Sequence, residues 1–273
     1  MKNILKLLIL TGLILAVALS GCLGGDDGND GNDGDDGADN NTPDSASNFS
    51  KNVTLSDNNS VLNFEFTTNP STGYGWTLTA NQTGLLNEVA SDVTTSRMPG
   101  APGVQIWSFE GNQAGVVALN FIYERSFEEN STVENLTYVI EVKDDMSMII
   151  SSVSSPYVDI LRSKETTLEN NSTALKLVFG SNPTTGYDWT VSVVPAGVLN
   201  MTKDDFNAPT TGLVGASGTH IFEFEGLKAG SANVTLSYLR TFEADSTIEN
   251  AVYGITVNEN KTLEIVSISY DTL

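Results

Sequence analysis

Little in this sequence can do covalent chemistry. Its 273 residues hold one histidine, His220, and one cysteine, Cys22. A Ser-His or Cys-His nucleophile pair would have to be built on His220 alone, and the composition argues against a His-rich metal site. The paired acids Asp144-Asp145 and Asp204-Asp205 are chain neighbours, and neighbours on a strand point to opposite faces. With no base–nucleophile constellation in view, the sequence predicts no enzyme, no metal site and no cofactor. What recurs instead is a chemistry of recognition. "TNPSTGYGWT" runs from Thr68 to Thr77 and "SNPTTGYDWT" from Ser181 to Thr190. In each, Asn69 or Asn182 is a turn initiator, and Pro70 or Pro183 fixes φ and removes an amide donor. Gly73 or Gly186 allows a positive φ. Between them stand two small hydroxyl residues, Ser71-Thr72 and Thr184-Thr185, and then an aromatic, Tyr74 or Tyr187. Such a loop is stiff and slim at its tip. It suits insertion into a narrow cleft, because a preorganised loop loses less entropy on binding. It equally suits a well-formed turn between two strands.

The elements that must position these loops are themselves repeated. Asn69 matches Asn182 and Trp76 matches Trp189 at an offset of 113. Downstream the offset is 115, pairing Gly100 with Gly215, Tyr123 with Tyr238 and Arg125 with Arg240. A two-residue insertion between Trp189 and Gly215 accounts for the change. The unit is about 110 residues, an ordinary domain size and too long for a solenoid repeat. The sequence divides into residues 1–21, 22–50, 51–158 and 159–273, the last two being the repeats. Within each repeat, runs such as "VLNFEF", "VQIWSFEG", "VVALNFIYER" and "LTYVIEV" are rich in β-branched and aromatic residues, and Gly, Asn and Ser punctuate them. About seven short strands per repeat predict an all-β fold of two tandem immunoglobulin-like β-sandwich domains. Trp76 and Trp189 open a strand directly after the repeated loop, where a buried Trp is a familiar sandwich anchor. Neither repeat holds a Cys, so each relies on its core for stability.

The amino terminus reads differently. "MKNILKLLILTGLILAVALSGC" has a basic start, an apolar run and small residues, the pattern of a secretory signal. The run is short for a spanning helix. Leu19-Ser20-Gly21-Cys22 resembles a lipoprotein processing box, which implies cleavage before Cys22, acylation of its thiol, and a chain exported and held at the outer face of the cell membrane. Residues 22–50 carry eight acids between Asp26 and Asp44 and too little apolar surface to offset chain entropy, so they read as an acidic tether. Their Asp-Gly-Asn-Asp runs lack the terminal Glu of a calcium loop. The net charge is −21, from 34 acids against 13 bases. It excludes nucleic acid as a partner, because phosphate binding needs basic patches. It also favours a self-repelling monomer.

The order Asn-Pro-x-Thr-Gly-Tyr-x-Trp, then a glycine-rich stretch, then an Arg-led stretch resembles the chagasin family of cysteine protease inhibitors. The resemblance covers both repeats and implies an immunoglobulin-like sandwich that blocks papain-like proteases with three loops at one end. The implied first loop is Asn69, Pro70, Ser71, Thr72, Gly73 and Tyr74, and again Asn182, Pro183, Thr184, Thr185, Gly186 and Tyr187. Thr72 and Thr185 would lie nearest the protease's catalytic cysteine. The implied second loop is Gly100, Ala101, Pro102 and Gly103, and Gly215, Ala216, Ser217 and Gly218. These glycines would serve equally to turn a hairpin. The third loop is Arg-Pro-Trp in the family but Arg125-Ser126-Phe127 and Arg240-Thr241-Phe242 here. Losing the Pro predicts a less stiff loop, and the smaller ring buries less area. His220, two residues past Gly218, reads as a strand side chain. Asp188 replaces Gly75 and sets a charge beside the second copy of the first loop. The competing reading of the whole chain is a surface adhesion or spacer protein; sequons such as Asn52, Asn81 and Asn233 fit an exposed surface under either reading.

Overall fold

The computed structural model describes residues 49–95, 98, 100–155, 163–168, 172–209, 213 and 215–273. The expected signal segment 1–21, Cys22 and the acidic stretch to residue 48 lie outside them. The first repeat forms β1 (Phe49–Ser56), β2 (Val61–Thr68), β3 (Gly75–Ala80), β4 (Leu86–Thr94), β5 (Gly103–Gly111), β6 (Gly115–Glu124), β7 (Glu134–Val142) and β8 (Met148–Ser155). The second forms β9 (Lys164–Thr167), β10 (Ala174–Ser181), β11 (Asp188–Val194), β12 (Leu199–Asn207), β13 (Gly218–Gly226), β14 (Gly230–Leu239), β15 (Glu249–Val257) and β16 (Leu263–Thr272). Each repeat thus has eight strands where the apolar runs predicted about seven. The strand that the pattern passes over is β4, which is exposed along nearly its whole length and carries no apolar stripe. The insertion is placed too. β12 still follows β4 at an offset of 113, while Gly215 follows Gly100 and β13 follows β5 at 115, so the two extra residues lie between Asn207 and Gly215, ahead of the second loop.

The strands form two antiparallel sheets in the orders β11-β14-β15-β16-β1-β2-β5-β4 and β12-β13-β10-β9-β8-β7-β6-β3. Each sheet takes four strands from each repeat. Phe49–Thr54 of β1 pair with Ser267–Thr272 of β16, and Ser152–Ser155 of β8 pair with Lys164–Thr167 of β9. The repeats are therefore hydrogen-bonded edge to edge in both sheets. One apolar cluster runs through both, from Phe64, Phe66 and Phe121 to Phe179, Phe222 and Leu236. It follows strict alternation, as in β6 with Val117, Leu119, Phe121 and Tyr123 buried. That is the period of a strand with one face on a core. The outer strands β4 and β12 are broken by register shifts at Glu88/Ala90 and Met201/Lys203 and carry exposed acids. Both devices discourage edge-to-edge pairing with other chains.

Matching ion pairs lie under one end of the sandwich. Lys51 meets Glu134 at 2.8 Å and Lys164 meets Glu249 at 2.6 Å, each joining one sheet to the other. Burial pulls the Lys164 ammonium down, but Glu249 more than offsets it and holds it above the ordinary lysine range. Near them the repeats part ways. The Tyr253 hydroxyl contacts Thr166 Oγ1 and the Tyr270 hydroxyl, each at 2.8 Å. Its counterpart, the buried Tyr138 hydroxyl, has no hydrogen-bond partner among the described residues. Burial pushes both phenols well above the ordinary tyrosine value.

Register places the loops. In the first sheet Trp189, Tyr238, Glu249, Thr272 and Phe49 fall in one row, while Thr68 stands opposite Gly103. In the second, Ser181 faces Gly218, Lys164 faces Ser155, and Glu134, Tyr123 and Trp76 align. The segments that follow β2, β4 and β6, and those that follow β10, β12 and β14, all leave from this same end. The tyrosine asymmetry makes a direct test. Tyr253→Phe should cost about 1–2 kcal/mol in chemical denaturation, because it strands two buried hydroxyls, whereas Tyr138→Phe should cost nothing or stabilise. Equal losses at the two sites would contradict the assignment.

Candidate functional site: loops at one end of the sandwich

The repeated loop is a single 3-10 turn, Pro70–Thr72 in the first repeat and Pro183–Thr185 in the second. Its backbone geometry is the same in both. The leading Asn has φ −132 and ψ 82 in one and φ −134 and ψ 83 in the other, and the closing glycines have φ 82 and 83. Almost every polar group of the tip is used within the turn. Thr72 N–H and the Thr72 hydroxyl both donate to Asn69 O, at 3.0 and 2.6 Å. Gly73 N–H donates to Pro70 O at 3.0 Å, and the Ser71 hydroxyl to Asn69 Oδ1 at 2.6 Å. In the second repeat the hydroxyls of Thr184 and Thr185 donate to Asn182 Oδ1 and Asn182 O at 2.6 and 2.7 Å. The base is fixed by Tyr123, whose hydroxyl accepts the Asn69 N–H, and by Tyr238, which does the same for Asn182, both at 3.1 Å. Beneath it, Trp76 and Trp189 are buried and donate Nε1–H to Thr67 O and Gly180 O, both at 2.9 Å. The tips Ser71, Thr72, Thr184 and Thr185 are exposed.

The other two loops are tied to this wedge. Asn69 Nδ2 donates to Gly100 O at 3.2 Å, and Asn182 Nδ2 to Gly215 O at 2.9 Å. Gly100 and Gly215 adopt φ 81 and 80. Ala101, Ala216 and Ser217 are half-buried, Pro102 is exposed, and Gly103 and Gly218 are buried where their strands begin. On the other side the Arg125 guanidinium stacks 4.5 Å over the Tyr74 ring. It donates from Nε to Thr72 O at 3.1 Å and pairs with Glu128 at 2.8 Å. Arg240 stacks on Tyr187 at the same 4.5 Å and pairs with Glu243 at 2.8 Å, but its buried Nε has no partner among the described residues. Without the proline, the third loop is closed by serine. The Ser131 hydroxyl donates to Arg125 O and Glu128 O at 2.9 Å and accepts the Arg125 N–H at 3.0 Å. Ser246 repeats this around Arg240. Phe127 and Phe242 are each 76% exposed, yet each ring edge rests on the wedge glycine. A Cβ on Gly73 would lie 2.8 Å from Phe127 Cζ, and one on Gly186 3.0 Å from Phe242 Cζ.

Three participants, Gln105, Met98 and Leu213, have no part in the sequence reading, and a fourth, His220, figures there only as a strand side chain. Gln105 braces the first wedge, accepting Trp76 N–H at 2.9 Å and donating to Trp76 O at 2.8 Å. His220 takes that position in the second repeat, buried on β13, with Nδ1 2.9 Å from Asp188 and Nε2 2.6 Å from Asp204. Met98 and Leu213, each 71% exposed, flank the second loops. Internal alignment alone would have paired Gln105 with His220 and Met98 with Leu213, although nothing in their types announces a role. Among the described residues no group of three or more His, Cys, Asp or Glu could hold a metal ion.

The arrangement is that of a binding protein: a rigid sandwich that holds three interlocked loops at one end, twice. The family model described as Chagasin family peptidase inhibitor I42 matches residues 56–142 and 168–257, and the chain belongs to that family, whose members inhibit peptidases and are not enzymes. Among solved structures, the cysteine protease inhibitor EhICP2 from Entamoeba histolytica matches at 24% identity and a TM-score of 0.29, over 31% of this chain and 78% of that one. No curated protein matches.

The wedge glycines yield a graded expectation. Gly73→Ala imposes both a left-handed residue, about 1–2 kcal/mol, and a collision with Phe127, whereas at Gly100 a Cβ meets nothing within 4 Å and Gly100→Ala incurs the strain alone. Denaturation midpoints should fall further for Gly73→Ala, and the reverse order would refute the Phe127 contact.

Proposed function

We propose that this chain is an exported, lipid-anchored inhibitor of papain-like cysteine proteases, and that each repeat works by placing its 3-10 turn in the protease cleft. The observation that carries this reading is the internally hydrogen-bonded, outward-facing tip, present with one geometry in both repeats. Asn69, Pro70, Ser71, Thr72, Gly73 and Tyr74 form the first wedge, and Asn182 to Tyr187 the second. The second loop, Gly100 to Gly103 or Gly215 to Gly218, and the third, Arg125 with Phe127 or Arg240 with Phe242, form the two flanks. Exposed Met98, Leu213 and the two phenylalanines supply apolar contact around a polar tip. Anchor residues surrounded by a rim are the usual economy of a tight interface.

The same hydrogen bonds account for resistance to cleavage. A scissile carbonyl must be presented in line with the attacking thiolate at near-contact distance. Here the carbonyls of Asn69 and Pro70 are turned into the 3-10 turn, and that of Thr72 accepts from Arg125. Filling the cleft then shields the nucleophile without offering it a bond to attack. The cell-surface part of the proposal rests on Leu19-Ser20-Gly21-Cys22 and on the acidic stretch between Cys22 and Phe49.

Titration of papain with residues 49–273 tests the inhibitory part. Thr72→Arg and Thr185→Arg place a bulky charge on each tip. Together they should weaken inhibition by at least about thirtyfold, the scale of losing a central hot spot. Undiminished papain activity at high micromolar wild-type protein would leave a spacer or adhesion role instead. Inhibition indifferent to the double change would remove the wedge from the mechanism. Anchoring is read separately. Cys22→Ser should move the chain from the membrane fraction to the soluble one and abolish incorporation of labelled fatty acid, and an unchanged distribution would refute the anchor.

A further inference from the structure

The two wedges share one backbone but not one flank. Beside the first, a pocket of about 310 Å³ opens at the edge of the sandwich where β3 and β4 are the outer strands. Pro70, Gly73 and Tyr74 form its wedge wall, Ser126 of the third loop stands at one side, and Gln105 and Glu124 line the rest. Its room comes from position 75, which carries no side chain. A Cβ there would have Gln105 Oε1, at 3.8 Å, as its one neighbour within 4 Å. The second repeat fills the same place. Asp188 stands at that position, and its Oδ1 accepts from the Ser181 hydroxyl at 2.8 Å and from Trp189 N–H at 2.9 Å. Phe206 replaces Val93, and its ring lies over Gly218, where a Cβ would come 2.7 Å from Phe206 Cζ. His220 replaces Gln105 and is buried.

Charge is distributed differently too. Gly75 stands opposite Glu124 across β3 and β6, whereas Asp188 stands opposite Leu239 across β11 and β14. Each repeat keeps one carboxylate at this cross-strand pair, and two directly opposed would repel. What differs is how much of that carboxylate is left for a partner. Asp188 is committed to the stems of its own wedge. Glu124 takes a hydrogen bond from the Thr132 hydroxyl at 3.2 Å and enters no ion pair among the described residues. Arg125, next along the chain, spends its guanidinium on Glu128. The pocket therefore offers acceptors: the Glu124 carboxylate, the Ser126 hydroxyl and the remaining lone pair of Gln105 Oε1. A long basic side chain suits it, with its apolar stem against Tyr74 and Val93 and its charged head toward Glu124.

We propose that this pocket is a subsite of the first wedge for a lysine or arginine side chain on the rim of the protease cleft, and that Glu124 is the residue that meets its charge. This rests on the inhibitor reading above, which lays the wedge wall of the pocket against that rim. The bound cation exchanges water for a charge-assisted hydrogen bond. The second repeat has no equivalent seat, because Asp188 fills the space and Leu239 carries no charge. The first wedge thus gains from a basic rim to which the second is indifferent.

Four versions of the Thr185→Arg protein, which works through the first wedge alone, test this against papain: unaltered, Glu124→Gln, Gly75→Val, and both changes together. Gly75 lies in β3 and outside the left-handed region, so valine fits its backbone and plugs the pocket. Glu124→Gln should weaken inhibition about three- to tenfold at low salt, the size of one partly solvated charge-assisted hydrogen bond. The loss should shrink at high salt, which screens exposed charges. Gly75→Val should weaken inhibition at least as much, and Glu124→Gln should then add nothing, because the cation is already excluded. Inhibition indifferent to both changes overturns the proposal. So does an equal loss from Glu124→Gln in the open and the plugged pocket, which would make Glu124 a charge acting at a distance. Should Gly75→Val fail to fold, Glu124→Gln and its salt dependence still decide. The inhibitor reading fails separately: no inhibition by the Thr185→Arg protein or by the Thr72→Arg protein would bring it down, and the subsite with it. Inhibition by the Thr72→Arg protein alone would overturn only the subsite.

Discussion

Backbone saturation within a six-residue loop is the constraint on which the rest of this molecule depends. A chain segment that projects from a sandwich has no ladder to satisfy its amides and carbonyls, and an unsatisfied loop is a mobile one. The wedge solves this locally. The carbonyl and side chain of one asparagine receive most of the tip's donors, and proline removes a donor that would have needed a partner. The asparagine amide then reaches across to the second loop. The third loop has no proline of its own and borrows rigidity from the wedge, through a guanidinium stacked on tyrosine and a phenylalanine resting on glycine. Three loops that would each be loose alone are stiff as a set.

The sandwich supports that set by sharing its sheets between repeats. An isolated eight-strand unit would leave β1 and β8, or β9 and β16, as open edges with unpaired backbone groups. Fusing them removes edges that would otherwise invite association and places the inter-sheet ion pairs at the junction. Buried pairs of this kind carry a desolvation penalty and are better evidence of geometry than of stability. Their geometry here holds one sheet over the other directly below the loops.

Much of this was written plainly in the sequence. Apolar runs named β2, β5, β6 and β7 and their counterparts, and the Trp-led run named β3 and β11, because those strands have one face on a core. β4 and β12 escaped because both their faces see solvent, so no pattern is imposed on them. The wedge was legible because proline and glycine have backbone consequences that do not depend on context. The third loop was only half legible. The loss of Pro and Trp predicted looseness, and the compensation came from Ser131 and Ser246, residues whose role depends on the loop already being folded. The fusion of the sheets was hidden for a related reason. Strand pairing between the first strand and the last is a tertiary choice, and no local pattern encodes which edge meets which. The contacts of His220 combine side chains from three strands, and a lone histidine on a strand gives no sign of the carboxylates that meet it.

The register that sends all six loops to one end also brings the start of β1 and the end of β16 there. Phe49 and Thr272 are partners in the same row, so the polypeptide enters and leaves the sandwich beside its wedges. A reporter protein fused after Leu273 would crowd the surface meant for a partner. The far hairpins, at Asp144-Asp145 and Glu259-Asn260, turn at the opposite end. A dye or a surface-immobilisation handle placed there would leave the loops pointing into free solution.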